Sequence, residues 1–442
     1  MPDETQTLSP AVAAAARTHP DSPGPKATAW LLRLVLVGLV LAALNLRPAI
    51  TSLGALLEEV QNGLHMSGSV AGVVTSVPPL CFAVFGLAAP RLARRFGAAA
   101  IVCAGMAAIA AGLLIRPFAG STPGFLAASA LALMGIAVSN ILMPVIVKRY
   151  FPERIGSVTG LYSMALSLGT ALAAAATVPM TEALGGSWQA GLAVWAGVAA
   201  VAVGPWLLLL RDREGTDTAD TADTEDTADT TDTAAVRPRG DRSAPALRIT
   251  RSRTAWTLAC FFGLQATGAY VAMGWLPQIF RDAGVPAGTA GVLLAVTMVM
   301  GVPLAFVIPR LATRFTHQGP IVAALGLCGL TGYTGLYLAP AAGAWAWALL
   351  LGISNCAFPL ALTMIGMRAR TGAGVVRLSA FAQSTGYLLS IPGPLLVGVL
   401  YQHSGGWELP LALMAGLMLP QIAVGSLAGR DRTIEDEAGM RH

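Results

Sequence analysis

The chain has 442 residues, of which 55% are hydrophobic and only 12% charged, and its mean hydropathy is +0.65. A soluble globular protein carries about 25% charged residues, so this composition excludes a soluble domain and indicates a surface that lies in lipid. The net charge of +5 comes mostly from arginines in short segments between apolar runs, which argues against nucleic-acid binding and indicates membrane topology.

The N-terminal residues 1–28 are rich in Ala, Thr, Pro and Asp and contain no apolar run. They predict a disordered cytoplasmic tail and no cleaved signal peptide. Beyond them, twelve apolar runs are each long enough to cross a bilayer core about 30 Å thick. Their predicted limits are 30–55, 69–89, 98–116, 124–147, 157–180, 188–210, 255–280, 288–308, 319–339, 344–366, 376–400 and 407–428.

The arginines are distributed unequally between the two sets of loops. The loops opposite the tails hold only Arg116 and Arg281, whereas the loops on the side of the tails hold most of the others. Basic residues accumulate in the short cytoplasmic loops of membrane proteins. We therefore expect a multi-pass protein of the inner (cytoplasmic) membrane with both termini and the central loop in the cytoplasm.

A polar stretch divides the spans into two groups of six. Residues 211–254 contain a Thr-Ala-Asp repeat at 218–224 and almost no apolar residues, which predicts a disordered acidic linker. An alternative is that this stretch binds a cytoplasmic partner. The predicted organisation is a tail at 1–28, a six-helix bundle at 29–210, the linker at 211–254, a second six-helix bundle at 255–428 and a cytoplasmic tail at 429–442.

The two halves repeat each other at a nearly constant offset. Ala-Pro-Arg-Leu-Ala-Arg-Arg-Phe at 89–96 recurs as Ile-Pro-Arg-Leu-Ala-Thr-Arg-Phe at 308–315. Ser-Asn-Ile-Leu-Met-Pro at 139–144 recurs as Ser-Asn-Cys-Ala-Phe-Pro at 354–359, and Gly-Gly-Ser-Trp at 185–188 as Gly-Gly-Trp at 405–407. Such parallel repeats indicate a transporter with one site between the halves near the membrane midplane.

Twelve spans in repeated halves, with basic 2–3 and 8–9 loops, resemble the major facilitator superfamily. Within it, the chain is similar to the cyanate/2-nitroimidazole transporter (CynX/NimT) family over nearly all of residues 30–428. The motifs are Asn-Leu-Arg-Pro at 45–48, Met-Pro-Val-Ile-Val-Lys-Arg at 143–149, Gly-Leu-Tyr-Ser at 160–163, Phe-Gly-Leu-Gln at 262–265, Trp-Leu-Pro at 275–277, Phe-Pro-Leu-Ala-Leu at 358–362 and Ser-Ala-Phe-Ala-Gln at 379–383.

The resemblance implies an all-α integral membrane fold, with twelve transmembrane helices in two pseudo-symmetric six-helix bundles. It makes the arginines of the 2–3 and 8–9 loops candidates for gating: Arg91, Arg95, Arg310 and Arg314. One position departs from the superfamily, whose 2–3 loop usually carries an Asp that helps to lock the inward gate. Here the chain has Pro90 instead, so that interaction does not carry over.

The strongest candidate for a binding residue is Arg47, inside the first apolar run. At about 1.5 Å per residue it lies roughly 25 Å along a helix from Trp30, in or near the outer half of the membrane. A charge there normally faces a cavity or a partner, and Pro48 favours a broken helix at that level. The planar guanidinium suits a carboxylate, cyanate or nitro group. The alternatives are that Arg47 reaches the outer interface or pairs with Glu58 or Glu59.

The other solute-binding candidates are polar or aromatic residues in related spans. Gln265 and Tyr270 in span 7 match span 1 positions close to Arg47 under the repeat. Asn45 lies about 200° around the helix from Arg47, so it shares that face only if Pro48 distorts the turn. Further candidates are Tyr162 in span 5, Asn355 and Phe358 in span 10, and Gln383 and Tyr387 in span 11. For each, the alternative is a contact between helices.

Several kinds of chemistry lack residues in this sequence. No Asp or Glu lies inside spans 2 to 12 away from their ends, where a proton relay would need one. The sequence shows no phosphate-binding loop, no histidine-rich metal cluster and no Ser/His/Asp set, so we expect no enzyme activity, no metal and no cofactor.

We expect a secondary active transporter that moves a small anionic or polar organic solute, cyanate-like or nitroimidazole-like, by alternating access. We expect it to act as a monomer in contact with membrane lipid and without a nucleic-acid partner. The alternatives are a membrane receptor or scaffold with a partner-binding cytoplasmic loop, a membrane enzyme, and a drug-efflux transporter of a different substrate class.

Overall fold

The computed structural model describes residues 25–221 and 249–439, and within these ranges the chain forms α-helices and short 3-10 turns without a strand. Twelve helical segments in these ranges are long and apolar enough to cross a membrane, which confirms the predicted number. We number them spans 1 to 12 in chain order: Ala29–Ala55, Gly68–Gly86, Ala98–Phe118, Thr122–Tyr150, Ser157–Ala183, Trp188–Leu210, Arg253–Asp282, Ala287–Leu304, Gly319–Leu338, Ala344–Met367, Gly374–Ser404 and Glu408–Ala428.

The helices extend beyond the apolar runs in several places. The helix of span 2 continues to Phe96, and that of span 6 continues to Thr221, into the predicted linker. The first helix begins at Pro25, inside the predicted tail. The rest of the predicted tail and linker, residues 1–24 and 222–248, lies outside the described residues.

The even number of spans places the start of span 1 and the end of span 12 on the same side of the membrane. We call this side the terminal face and the other side the opposite face. Odd-numbered spans therefore begin at the terminal face, and even-numbered spans begin at the opposite face.

Four spans are broken into two helical segments, and a proline explains each break. The segments are Pro25–Asn45 and Pro48–Ala55 in span 1, Ala287–Val299 and Gly301–Arg314 in span 8, Ala344–Asn355 and Ala357–Met367 in span 10, and Gly372–Ser390 and Pro392–Ser404 in span 11. A proline cannot donate a backbone hydrogen bond, and its ring collides with the carbonyl four residues earlier. The first segment ends four residues before a proline in three cases: Val299 before Pro303, Asn355 before Pro359, and Ser390 before Pro394.

The two halves use the same helix pairings. Span 3 packs against spans 4 and 6, and span 1 packs against spans 5 and 6. The second half repeats these pairs, because span 9 packs against spans 10 and 12, and span 7 packs against spans 11 and 12. The predicted pair of pseudo-symmetric six-helix bundles is therefore confirmed.

The halves are closely packed on the opposite-face side. A Cβ atom on Gly54 of span 1 would lie 2.0 Å from the carbonyl oxygen of Met273 in span 7. A Cβ atom on Gly398 of span 11 would lie 2.4 Å from the carbonyl oxygen of Gly68 in span 2. Spans 5 and 8 form the third seam. Small residues allow helix backbones to approach this closely, so these glycines allow the halves to meet at the opposite face in this conformation.

The predicted C-terminal tail contains a short helix, Ile434–Gly439, that packs on the terminal face of the second half. Glu437 accepts hydrogen bonds from the hydroxyls of Ser252 and Thr254, each at 2.7 Å, at the start of the span 7 helix. Glu435 accepts from the backbone N–H of Arg370 at 3.1 Å, just before span 11. The helix therefore ties the starts of spans 7 and 11 together, while residues 440–442 lie outside the described residues.

Candidate solute-binding site

Arg47 lies in the break of span 1, as the sequence predicts. It is the residue that precedes the second helical segment, and its side chain, partly buried, lines a central cavity of about 240 Å³ between the halves. Its Nη1 lies 3.9 Å from Sδ of Met273 in span 7. Among the described residues no carboxylate pairs with Arg47. Both Glu58 and Glu59 pair with Arg281 instead, so this structure does not contain the alternative pairing.

Three tyrosines lie near the guanidinium of Arg47. Tyr270 of span 7 and Tyr387 of span 11 line the cavity, and all three phenols, including that of Tyr162 in span 5, are close enough to Arg47 to interact with it electrostatically. A phenol can donate a hydrogen bond to an anion or accept one from a donor. The site therefore combines one fixed positive charge with neutral groups that can bind a negative or polar solute.

Aromatic packing holds Tyr387 in place. Its ring stacks on Phe82 of span 2 at 5.1 Å between centroids and meets Phe262 of span 7 edge-on, also at 5.1 Å. The ring centroid of Tyr270 lies 6.5 Å from that of Tyr387. Because Phe82 belongs to the first half and the other rings to the second, this cluster joins the halves beside the cavity.

The cavity lining extends from the level of Arg47 toward the terminal face. Span 7 contributes Ala266, Ala269, Tyr270 and Met273, which lie on one face of a helix. Asn355 and Phe358, at the break of span 10, also line the cavity. The remaining polar lining consists of hydroxyl groups on spans 5 and 8: Ser163, Ser167, Thr170 and Thr297.

Gln265 does not line this cavity, because it lies on another face of the span 7 helix from Ala266 and Tyr270. Its Nε2 donates to Oδ1 of Asn355 at 2.9 Å, and its Oε1 accepts from Nε2 of Gln421 at 3.1 Å. These bonds join spans 7, 10 and 12 beside a separate small cavity of about 20 Å³. In this structure Gln265 performs the packing role that the sequence left as an alternative.

Three other predicted candidates are likewise absent from the cavity lining, and each bonds to a neighbouring residue. The Nδ2 of Asn45 donates to the carbonyl oxygens of Leu41 at 2.8 Å and Val198 of span 6 at 3.4 Å, which places this side chain on the far side of span 1. The hydroxyl of Tyr162 donates to Oδ1 of Asn140 at 2.9 Å. The Nε2 of Gln383 donates to the hydroxyl of Ser379 at 2.7 Å.

The gating-loop candidates form two exposed groups at matching positions on the terminal face. Arg91 and Arg95 lie at the end of the span 2 helix, and Arg310 and Arg314 lie at the end of the span 8 helix. The guanidinium of Arg95 lies 5.1 Å from the ring centroid of Phe96. Their placement agrees with the repeat, and their role in gating stays a prediction.

Two features of the structure, one in the central cavity and one outside it, were not predicted from the sequence. The first is the hydroxyl stripe of span 5, which the spacing of Ser163, Ser167 and Thr170 on one helical face could have indicated. The second is Arg116, which the sequence places in a loop but which is only 2% exposed in the structure. No pattern in the sequence distinguishes Arg116 from an exposed loop arginine.

A twelve-span membrane protein with matched halves and a solute-sized cavity between them has the architecture of a membrane transporter. Residues 35–374 match the sequence profile of the Major Facilitator Superfamily, which covers more than half of the chain. The chain therefore belongs to this superfamily and is a secondary transporter.

Characterised and uncharacterised transporters of bacteria are similar to the chain over most of its length. It is 34% identical over 415 residues to the uncharacterized transporter YycB of Bacillus subtilis (strain 168), covering 93% of this chain and 96% of that protein. It is 32% identical over 406 residues to the 2-nitroimidazole transporter of Escherichia coli (strain K12), covering 91% and 97%. It is 30% identical over 390 residues to the cyanate transport protein CynX of the same strain, covering 87% and 95%. These relationships confirm the predicted resemblance.

Solved structures with the same fold are more distant in sequence. An inward open conformation of the xylose transporter XylE from E. coli superposes with a TM-score of 0.68 at 12% identity, covering 93% of this chain and 99% of that one. A bacterial homolog of the human lysosomal transporter Spinster gives a TM-score of 0.66 at 15% identity, covering 92% and 96%. At these identities the likeness establishes the fold.

Proposed function

We propose that the protein moves a small monovalent anion, or a polar ring that carries an anion-like group, by alternating access. The observation that carries this proposal is Arg47, a guanidinium at a helix break that lines the central cavity with no carboxylate partner among the described residues. A charge inside a membrane protein is retained where it serves binding or transport. A solute with a carboxylate, cyanate or nitro group would supply the missing hydrogen-bond acceptors.

The cavity favours one negative charge and a small solute. Arg47 is the single charged side chain among its described lining residues, so a dianion would keep one charge uncompensated. The volume of about 240 Å³ lies below the roughly 300–1,000 Å³ typical of pockets for drug-sized ligands. Two relatives are named a cyanate transport protein and a 2-nitroimidazole transporter, and the solutes in these names belong to the proposed class.

Polar contacts join the halves at the opposite face, beside the close packing at Gly54 and Gly398. Arg281 at the end of span 7 pairs with Glu58 and Glu59, which follow span 1, and Nε2 of Gln61 donates to Oε1 of Gln278 at 3.2 Å. We propose that these contacts break when the opposite face opens. The four exposed arginines at the ends of spans 2 and 8 would then approach the other half as the terminal face closes.

We propose that the terminal face is cytoplasmic and that the protein lies in the inner membrane, because the short loops on that face hold most of the arginines. The conformation described here then has its closed gate on the outside. The halves 29–210 and 255–428 would rock as units, joined by the linker 211–254. All the described lining residues of the cavity come from one chain, which supports a functional monomer.

Uptake into proteoliposomes tests the proposal. Wild type is compared with Arg47→Ala and Arg47→Lys on radiolabelled cyanate, 2-nitroimidazole and a panel of small carboxylates. Arg430→Gln serves as a matched control, because Arg430 is exposed beyond the end of span 12 and far from the cavity lining. We expect Arg47→Ala to lower uptake of the transported solute at least tenfold and Arg47→Lys to restore it in part. Normal uptake by both Arg47 variants would contradict the proposed site.

A further inference from the structure

A buried guanidinium lies on the opposite-face side of Tyr270. Arg116, at the end of span 3, is 2% exposed, and its Nη1 donates to the carbonyl oxygen of Ala49 at 2.9 Å. Its Nη2 lies 3.4 Å from the hydroxyl oxygen of Ser52. Both acceptors belong to the second segment of span 1, the segment that begins directly after Arg47. Arg116 therefore contacts the short helix that directly follows Arg47.

The charge of Arg116 has no anionic partner in the described part of the chain. Its Nε is buried and has no hydrogen-bond acceptor among the residues that the structure describes, and the guanidinium otherwise lies 5.8 Å from the ring centroid of Phe125. An arginine cannot lose its proton in a protein, and a buried charge is costly unless it is paired. Two neutral oxygens orient this guanidinium but do not neutralise it.

A small cavity adjoins Arg116 and contains a second unpartnered polar group. Ser129 of span 4 lines the cavity, and its buried hydroxyl oxygen has no hydrogen-bond partner within residues 25–221 and 249–439. The cavity measures about 10 Å³, room for about one water molecule. A site with a buried cation and a free hydroxyl, and without a described carboxylate, has the chemistry to bind an anion.

The walls of this cavity show how it would open. Tyr270 and Gly274 of span 7 are its lining residues from the second half, and all the others come from spans 1 to 4. Spans 1 and 7 are in contact here because Gly54 lies against Met273. If the halves separate at the opposite face, span 7 withdraws and exposes Arg116 to that side. Tyr270 also lines the central cavity, so it forms the partition between the two arginines.

We propose that Arg116 and Ser129 form a second anion-binding subsite, which fills from the opposite face and passes a monovalent anion past Tyr270 to Arg47. This proposal rests on the proposed function, since it describes a second position for the same solute. In the closed conformation the subsite is collapsed. The opening of the opposite face enlarges it, and the closing of that face drives the anion toward Arg47.

Charge-selective cysteine labelling tests the subsite without depending on transport. Ser129→Cys is prepared in a chain whose five native cysteines are replaced by alanine and is treated from the opposite face with an anionic and a cationic methanethiosulfonate reagent. We expect the anionic reagent to react at least tenfold faster than the cationic reagent and thiocyanate to slow the anionic reaction. The added substitution Arg116→Gln should reduce the ratio of the two reaction rates to near one. Leu133→Cys, on the same cavity, gives a second labelling position if the first variant does not fold.

The outcomes separate the subsite from the transport proposal. No labelling at either position, or a charge ratio unchanged by Arg116→Gln, would overturn the subsite. Uptake kinetics measured from each face add a transport readout. Arg116→Gln should raise KM at the opposite face about tenfold and change KM at the terminal face less than twofold. Arg116→Lys should restore KM at the opposite face in part. Equal losses at both faces would show a structural role for Arg116. If wild type transports no anion but labelling is charge-selective, the proposed function fails and the anion subsite stands.

Discussion

Arg281 and Glu59 form a two-point contact across the boundary between the halves: Nη1 lies 3.0 Å from Oε2 and Nη2 lies 2.9 Å from Oε1. Glu58 adds a third contact to the same guanidinium at 3.0 Å. These side chains are partly exposed, so solvent weakens each interaction. The parallel geometry nevertheless favours the closed opposite face over any arrangement in which the halves separate.

Replacing Arg281 by Gln should shift the conformational equilibrium toward an open opposite face. We expect a change of about 1 kcal/mol, the upper range for an exposed ion pair. Spin labels at the exposed positions Asn62 and Pro286, one in each half, report the separation as a distance distribution. Arg430→Gln is the control. An unchanged distribution in Arg281→Gln would show that these ion pairs do not hold the gate.

Gly54→Ala should disturb the same equilibrium through packing. The new Cβ would lie 2.0 Å from the carbonyl oxygen of Met273, so span 1 or span 7 must shift for the opposite face to close. Overpacking of this kind costs about 1–3 kcal/mol. Gly197→Ala is a matched control, because no described atom outside its own stretch of helix lies within 4 Å of the added Cβ there. The same spin-label distances should lengthen for Gly54→Ala, and equal behaviour of the two variants would disprove this packing account.

Tyr387→Phe isolates the contribution of a single hydroxyl. The stacked and edge-on contacts with Phe82 and Phe262 need only the ring, so the fold should be unaffected. A hydrogen bond to a charged group contributes about 1.5–3 kcal/mol, which predicts that KM for an anionic solute rises roughly tenfold or more. Uptake at varied solute concentration measures this effect. A KM equal to that of wild type would remove Tyr387 from the proposed binding group.

The C-terminal helix should make stability depend on pH. Burial raises the pKa of Glu437, but hydrogen bonds from Ser252 and Thr254 outweigh it and hold this pKa below its ordinary value of 4.5. A carboxylate with a lowered folded pKa stabilises the fold above its ordinary pKa, and this contribution is lost as pH falls through the folded value.

Glu437→Gln should therefore lower the Tm at neutral pH and flatten its decline below about pH 4.5. Glu408→Gln, an exposed carboxylate at the opposite face, is the control. Thermal unfolding in detergent between pH 3 and pH 8 checks both statements. Parallel Tm curves for wild type and Glu437→Gln would refute this role of the helix.

Local signals in the sequence predicted the spans and the position of Arg47. An apolar run is enough to define a span. An arginine inside such a run indicates a buried charge, and Pro48 directly after it indicates a helix break close by. The repeat placed Tyr270 near Arg47 because equivalent spans occupy equivalent positions in the two halves.

The orientation of side chains around each helix could not be predicted in the same way. Gln265 and Ala266 are adjacent in sequence, but a rotation of about 100° places one against span 12 and the other on the cavity. Tertiary packing decides that rotation. The burial of Arg116 likewise depends on how the broken end of span 1 lies against span 3, a relation between segments distant in the chain.

In the proposed site, Arg47 binds the negative charge of the solute. The most direct test compares binding of a transported carboxylate with binding of its uncharged amide, in wild type and in Arg47→Gln, by calorimetry in detergent. We predict that wild type binds the anion at least tenfold more tightly than the amide and that Arg47→Gln binds both with similar Kd. An undiminished preference for the anion in Arg47→Gln would show that Arg47 does not bind the negative charge of the solute.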